Sequence, residues 1–376
     1  MPKIAVVIGT RPDAIKLAPL VKVMENDGSF KTSLLATAQH RRLLDQVLSV
    51  FSLSPDYDFN IMIEGQDLFH ISSRALTLFK TAYKSLLPDM VLVQGDTTTT
   101  FIAALAAFYE GIPVGHVEAG LRSFDKHNPY PEEMNRILTD NLSTILFAPT
   151  KKARENLLQE AITKNVYVTG NTAIDAINMA IEQPKTDRLG IREGKRKLIL
   201  VTCHRRENFG EPVREVCRAL KDIVENFEDV EIVYPVHPNP NVKLPVNETL
   251  KDMERIRLID PPPYLEFINL MANSYLVLTD SGGLQEEAPS LNKPVLVMRK
   301  VTERTEGIEA GTAILVGTNR ERIVESVSRL LRNRALYESM SGKKNPYGDG
   351  KASRRIHAYI RGYFNLPHEE IPEFSS

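Results

Sequence analysis

Lys3-Ile4-Ala5-Val6-Val7-Ile8-Gly9-Thr10-Arg11-Pro12 is the stretch that decides the fold class. Ile4 to Ile8 are apolar at every position, largely β-branched, and stop at a glycine. A continuous run of this kind, unlike an alternating one, reads as a strand buried on both faces. Pro12 suits the first turn of a helix, where its missing N–H costs nothing, and that helix is expected to reach about Glu25. The same sequence of strand, polar turn and helix recurs at 91–93, where Gly95-Asp96 precedes a helix-like stretch from 101 to 109. It recurs at 113–117, before Glu118-Ala119-Gly120, and residues 145–148 and 166–168 read as two further strands. Strands alternating with helical segments indicate a parallel sheet. The pattern then restarts at 197–201, ahead of Thr202-Cys203-His204, with a helix-like segment over 213–227 and strands at 232–234, 256–259, 275–278 and 295–297. Two successive α/β halves are therefore expected, joined by the polar stretch 182–195.

Bulk properties bound what such a chain does. A length of 376 residues suits two domains. With 47 basic and 48 acidic residues the net charge is −1, which gives no global electrostatic case for nucleic acid or an anionic membrane. Cys203 and Cys217 are the two cysteines; they lack metal-ligand spacing, and their scarcity fits a reducing cytoplasm. No run of ~18 apolar residues occurs, and the N-terminal apolar run is too short for a signal peptide, so a cytoplasmic location is expected.

In parallel sheets ligands bind beyond the carboxyl ends of the strands, so the polar residues that follow each strand are the candidates. Gly9 to Lys16 offers a glycine turn, a helix N-terminus and the charges of Arg11 and Lys16, an arrangement suited to an anion. It is equally readable as a plain strand-to-helix turn, and it is neither a Walker A loop nor a dinucleotide fingerprint. Asp96 reads either as a helix N-cap or as a carboxylate exposed to a cleft. Glu118, at the end of an apolar strand, needs a partner or a cleft; Arg122 is the nearby candidate for an ion pair. Glu132 and Glu133 suit a first helical turn beginning at Pro131 or Glu132. His204-Arg205-Arg206 places basic groups beyond a strand end, where phosphate binding is favoured. Ser281-Gly282-Gly283 combines a helix cap with two glycines that admit a close ligand, and Glu287 follows on the same helical face. Arg304 reads as another phosphate ligand or a surface residue. His237 lies in a proline-rich loop.

Taken in order, Gly9-Thr10-Arg11-Pro12, Lys16, Thr37-Ala38-Gln39-His40-Arg41, Gly95-Asp96-Thr97-Thr98-Thr99, Gly115 to Arg122, Pro131-Glu132-Glu133 with Asn135-Arg136, His204 to Asn208 and Asp280 to Pro289 resemble the non-hydrolysing UDP-N-acetylglucosamine 2-epimerases. The resemblance runs from residue 3 to about 360. It implies a GT-B architecture, in which two Rossmann-like domains have parallel sheets facing across a cleft: residues 1–182 with a C-terminal helix of about 351–376 crossing back, and a UDP-binding domain of 183–350. It implies a homodimer acting on UDP-GlcNAc and UDP-ManNAc without nicotinamide or metal, and supplying ManNAc for cell-surface polysaccharide. By the same resemblance Asp96, Glu118 and Glu132 are the catalytic carboxylates, and His204 stands at the phosphates. Arg11, Lys16, Ser281, Gly282, Gly283 and Arg304 are nucleotide or phosphate ligands, Glu287 the ribose ligand, and Phe267 lies near the uracil. Gln39, Arg205 and His237 match parts of a second, allosteric UDP-GlcNAc site. Arg42 and Gly65 depart from the pattern of that second site, and Pro262 departs from a Gln found near the uracil. The competing readings are a hydrolysing relative, a GT-B glycosyltransferase and a non-enzymatic UDP-sugar sensor; three cleft carboxylates argue against the last two.

Overall fold

Thirteen strands form two separate parallel sheets among the described residues of the computed structural model, which are 1–37, 41–61, 67–184, 190 and 196–375, with the side chains of 41–43 excepted. Gln39 and Gly65, most of the expected linker, and the side chain of Arg42 thus lie outside the described set. The chain divides into two units, Met1–Met179 with Tyr347–Ser376, and Ala180–Pro346.

The first unit contains β1 (Lys3–Ile8), β2 (Lys31–Ala36), β3 (Tyr57–Asp58), β4 (Met90–Gln94), β5 (Val114–Val117), β6 (Ile145–Ala148) and β7 (Val166–Val168). Their order is β3-β2-β1-β4-β5-β6-β7. The second contains β8 (Lys197–Thr202), β9 (Val230–Pro235), β10 (Ile256–Ile259), β11 (Leu276–Thr279), β12 (Val295–Val297) and β13 (Ala313–Leu315), in the order β10-β9-β8-β11-β12-β13. Each sheet is doubly wound: the order reverses between β1 and β4 in one and between β8 and β11 in the other. The carboxyl ends of those four strands are where ligand-binding turns are expected. Each unit is Rossmann-like.

Burial explains the continuous apolar runs. Ala5, Val7, Val91 and Val93 pack with Phe79, Tyr83, Ala103 and Ala107 from helices Leu68–Leu86 and Thr98–Tyr109. In the second unit Ile199, Val201, Ile232 and Leu278 pack against Val213, Val216, Leu220 and Ile223 of helix Glu211–Asn226. Each such aliphatic side chain contributes about 1.5–3 kcal/mol. The first helix, Arg11–Asp27, has Pro12 in its first turn and ends at Gly28, whose φ of 65° needs no Cβ. It runs two residues beyond the expected Glu25. The last helix, Ala352–Tyr363, packs on it within the first unit, where Arg361 pairs with Asp27 at 2.6 Å. No helix among the described residues is long and apolar enough to cross a membrane.

Candidate active site

In the first unit a carboxylate follows the end of each of the paired strands β4 and β5. Glu118 follows Val117 with a left-handed backbone, φ 70°, an uncommon conformation for a residue with a long side chain. Such strain persists where the surroundings hold it, and it clusters at functional sites. Both carboxylate oxygens lie 2.6 Å from the Lys16 ammonium, and the Gln94 amide donates to one of them. A Cβ on Gly95 would meet the same carboxylate at 3.4 Å, so the residue before Asp96 lies directly against Glu118. The Asp96 carboxylate pairs with Arg136, and its backbone carbonyl accepts from Asn135 at 3.0 Å.

Two expectations are corrected here. Asp96 is not the cap of helix Thr98–Tyr109; Thr97 is, accepting from Thr100 N–H. Nor does Glu118 pair with Arg122, whose guanidinium goes to Asp140 at 2.7 Å and Glu160 at 2.6 Å. The backbone anion site after β1 is also filled from within. Asp13, 3% exposed, accepts from Gly9 N–H at 3.1 Å, Thr10 N–H at 3.0 Å and the Thr10 hydroxyl at 2.9 Å. Burial pushes the Asp13 carboxyl up to about 6 against those hydrogen bonds. Arg11 stands at the first position of that helix, half-buried.

Glu132 is the first residue of helix Glu132–Leu142, and its Oε2 is buried without a hydrogen-bond partner. Its neighbour Glu133 is fully satisfied: it accepts from Ser123 N–H and Phe124 N–H and pairs with Arg136 at 2.8 Å. A structural role therefore accounts for Glu133 and leaves Glu132 unexplained by structure alone.

In the second unit, Asp280 organises the switch point. It is fully buried at the end of β11 and accepts from the backbone N–H of His204 and Arg205 and from the Asn208 amide, at 2.8–3.1 Å. This pins the turn after β8 to the end of β11. His204 is half-buried, and burial holds its imidazole below the usual value, which favours a neutral hydrogen-bonding group over a cation. Its ring lies 5.8 Å from that of His237, whose Nδ1 accepts from Asn239 N–H.

Ser281 is the N-cap of the short helix Gly282–Glu287. A Cβ at Gly282 would meet Arg205 Nη2 and Glu303 Oε1 at 3.5 Å and Arg304 Cζ at 3.8 Å; one at Gly283 would meet Glu287 Oε1 at 3.6 Å. Two arginines and the carboxylates of Glu287 and Glu303 thus converge on the bare backbone of the paired glycines. Arg304 pairs with buried Glu286, and Nε of Arg205 is buried without a hydrogen-bond partner. Phe267 is half-buried on helix Tyr264–Asn273. Cys203 is buried with its thiol pushed well up by burial, so it is a packing residue and no nucleophile.

The chain as a whole has close relatives. The sequence model described as UDP-N-acetylglucosamine 2-epimerase matches residues 22–361. The chain belongs to that family. The UDP-N-acetylglucosamine 2-epimerase of Escherichia coli K12 is 52% identical over 364 residues, 94% of this chain and 97% of that protein. A Staphylococcus aureus MnaA structure with UDP is 47% identical with a TM-score of 0.90, covering all of both chains. The Neisseria meningitidis UDP-GlcNAc 2-epimerase bound to UDP-GlcNAc is 44% identical with a TM-score of 0.88, covering 96% of this chain and all of that one.

Against the family pattern, the residues that sequence reasoning passed over are the partners: Asp13, Gln94, Arg136, Asp140, Asp280 and Glu286. Asp13, Arg136, Asp280 and Glu286 stood inside the quoted stretches, but nothing in their spacing distinguished them from solvated charges.

Proposed function

We propose that this chain interconverts UDP-GlcNAc and UDP-ManNAc at C2, without hydrolysis and without nicotinamide or metal. The observation that carries the reading is the pair of strand-end carboxylates, Glu118 held by Lys16 and Asp96 held by Arg136, in a family whose members are 2-epimerases. Inverting C2 requires the loss and return of a proton on an unactivated carbon. If the C1–O bond breaks and its electrons leave with UDP, the C2–H bond is weakened and a carboxylate can take that proton. A 2-acetamidoglucal results. Protonation of C2 from the opposite face, with the UDP oxygen adding back to C1, completes the exchange with atoms and charge balanced.

Asp96, Glu118 and Glu132 are the groups assigned to proton transfer and to the cationic character at C1. The unpartnered oxygen of Glu132 fits a group awaiting a ligand. Lys16 neutralises Glu118, so that pair adds no net negative charge to a site that must also accept a diphosphate. In the second unit His204, Arg304 and the backbone of Ser281-Gly282-Gly283 are assigned to the departing diphosphate, Glu287 to the ribose and Phe267 to the uracil side. Arg11 is assigned to the phosphates with Lys16. Arg205 and His237 carry the expectation of a second UDP-GlcNAc site; its third residue, Gln39, lies outside the described set. The family resemblance further supports a homodimer whose product feeds polysaccharide synthesis.

Phosphorus NMR of the reaction with UDP-GlcNAc tests the reading. Conversion to a second UDP-sugar, with the diphosphate signals retained, is expected. Stoichiometric free UDP would identify a hydrolase, and no change without an added acceptor would refute the epimerase reading.

A further inference from the structure

One buried network ties the two strand ends together, and no role above uses it. His116, on β5 and fully buried, lies between two acceptors. Its Nε2 is 2.8 Å from the Gly95 carbonyl, and its Nδ1 is 2.6 Å from Asp140 Oδ1. The other oxygen of Asp140 accepts from Gly120 N–H at 3.2 Å and from Arg122 at 2.7 Å, and Arg122 continues to Glu160. Asp140, 1% exposed, therefore grips the chain on both sides of Glu118, at His116 and at Gly120. Through the imidazole it also holds the carbonyl of Gly95, the residue before Asp96. The turn it braces is the one in which Glu118 has φ 70° and Gly120 φ 82°.

Proton placement follows from the partners. A carbonyl oxygen only accepts, so Nε2 carries a proton. Between Nδ1 and Asp140 one proton is shared, and its location depends on the charge of the carboxylate. A guanidinium and a backbone N–H on the far oxygen favour the ionised carboxylate, which leaves the proton on Nδ1. His116⁺, Asp140⁻, Arg122⁺ and Glu160⁻ then balance, as burial of charge requires.

We propose that His116 and Asp140 are a positioning pair for the epimerisation: an imidazolium with a proton on each ring nitrogen locks the Gly95-Asp96 turn to the strained turn that presents Glu118. The inference rests on the reading that Asp96 and Glu118 flank the reacting carbon. Neither His116 nor Asp140 touches substrate in this scheme; each acts through the geometry of the two carboxylates.

Two measurements on the full chain test it. In neutral buffer, long-range proton–nitrogen correlation of isotope-labelled histidines should show both His116 nitrogens protonated, with His116→Gln identifying the signals. One bare nitrogen overturns the proposal. Asp140→Asn keeps a hydrogen bond to the ring but supplies it from an amide, leaving His116 with a single proton. Its kcat for C2 proton exchange should fall about 10- to 100-fold, with UDP affinity held within about threefold by calorimetry. The same split is expected of His116→Gln if Asp140→Asn does not fold. An unchanged kcat, or kcat and UDP affinity falling in step as a loosened fold would give, overturns it. A parent enzyme with no C2 exchange would instead refute the epimerase reading, and the parent's nitrogen signals would still decide the pairing.

Discussion

Glu118 is the residue on which structure and chemistry bear most directly. Its carboxylate is side-chain buried to 9% exposure, held by Lys16 and Gln94, on a backbone with φ 70°. Glu118→Gln keeps the size and an acceptor oxygen while removing the basicity. It should lower C2 proton exchange by about 10²- to 10⁴-fold while UDP binding, measured by calorimetry, persists. Lost UDP binding together with lost folding would return Glu118 to a purely structural ion pair. That partner was not legible in the sequence. Lys16 and Glu118 are 102 positions apart, and only the parallel pairing of β1, β4 and β5 brings the first helix to the end of β5. Arg122 was the nearer guess, but four-residue spacing joins side chains on a helix, and residues 118–122 are not helical. What was legible was the need for a partner: a carboxylate ending an apolar strand cannot be left bare.

At the scale of elements, the long buried strands declared themselves, because parallel strands covered on both faces are written as unbroken apolar runs. β2 reads Lys31-Thr32-Ser33 before it turns apolar, and β3 and β13 have two and three residues; such segments carry too little pattern to separate from loops. Tight turns were visible as glycines, and at Gly120 the obstacle to a side chain is backbone. A Cβ there would lie 2.2 Å from the Ala153 carbonyl oxygen, at φ 82°. Gly120→Ala should destabilise the protein by about 3 kcal/mol, from the left-handed backbone and the clash together, measured by urea unfolding.

The C-terminal helix offers a pH test. Asp175 accepts from Ala352 N–H and Ser353 N–H, and burial, against those hydrogen bonds, pushes its carboxyl from 3.8 up to about 6. Between about pH 4 and 6 the folded protein then holds more protons at this site than the unfolded chain. Stability therefore falls as pH rises through that window, by about 3 kcal/mol for this group. Asp175→Asn removes that dependence. The stability of the parent relative to Asp175→Asn should be greatest near pH 4 and smallest above pH 6, as read from unfolding midpoints across the window.

For the whole molecule, two doubly wound units were legible from the restart of the strand pattern at residue 197. The return of the last helix to the first unit has no local signature, since packing of Ala352–Tyr363 on Arg11–Asp27 is a contact between chain ends. A homodimer is expected in solution, and light scattering should give twice the chain mass of 42.3 kDa. Epimerisation at C2 is tested by incubating the protein with UDP-GlcNAc in heavy water and following C2 by NMR. Deuterium is expected at C2 in a sugar still joined to UDP, in both the gluco and manno forms. A C2 that keeps its proton while substrate is consumed, or a substrate left unchanged, would contradict it.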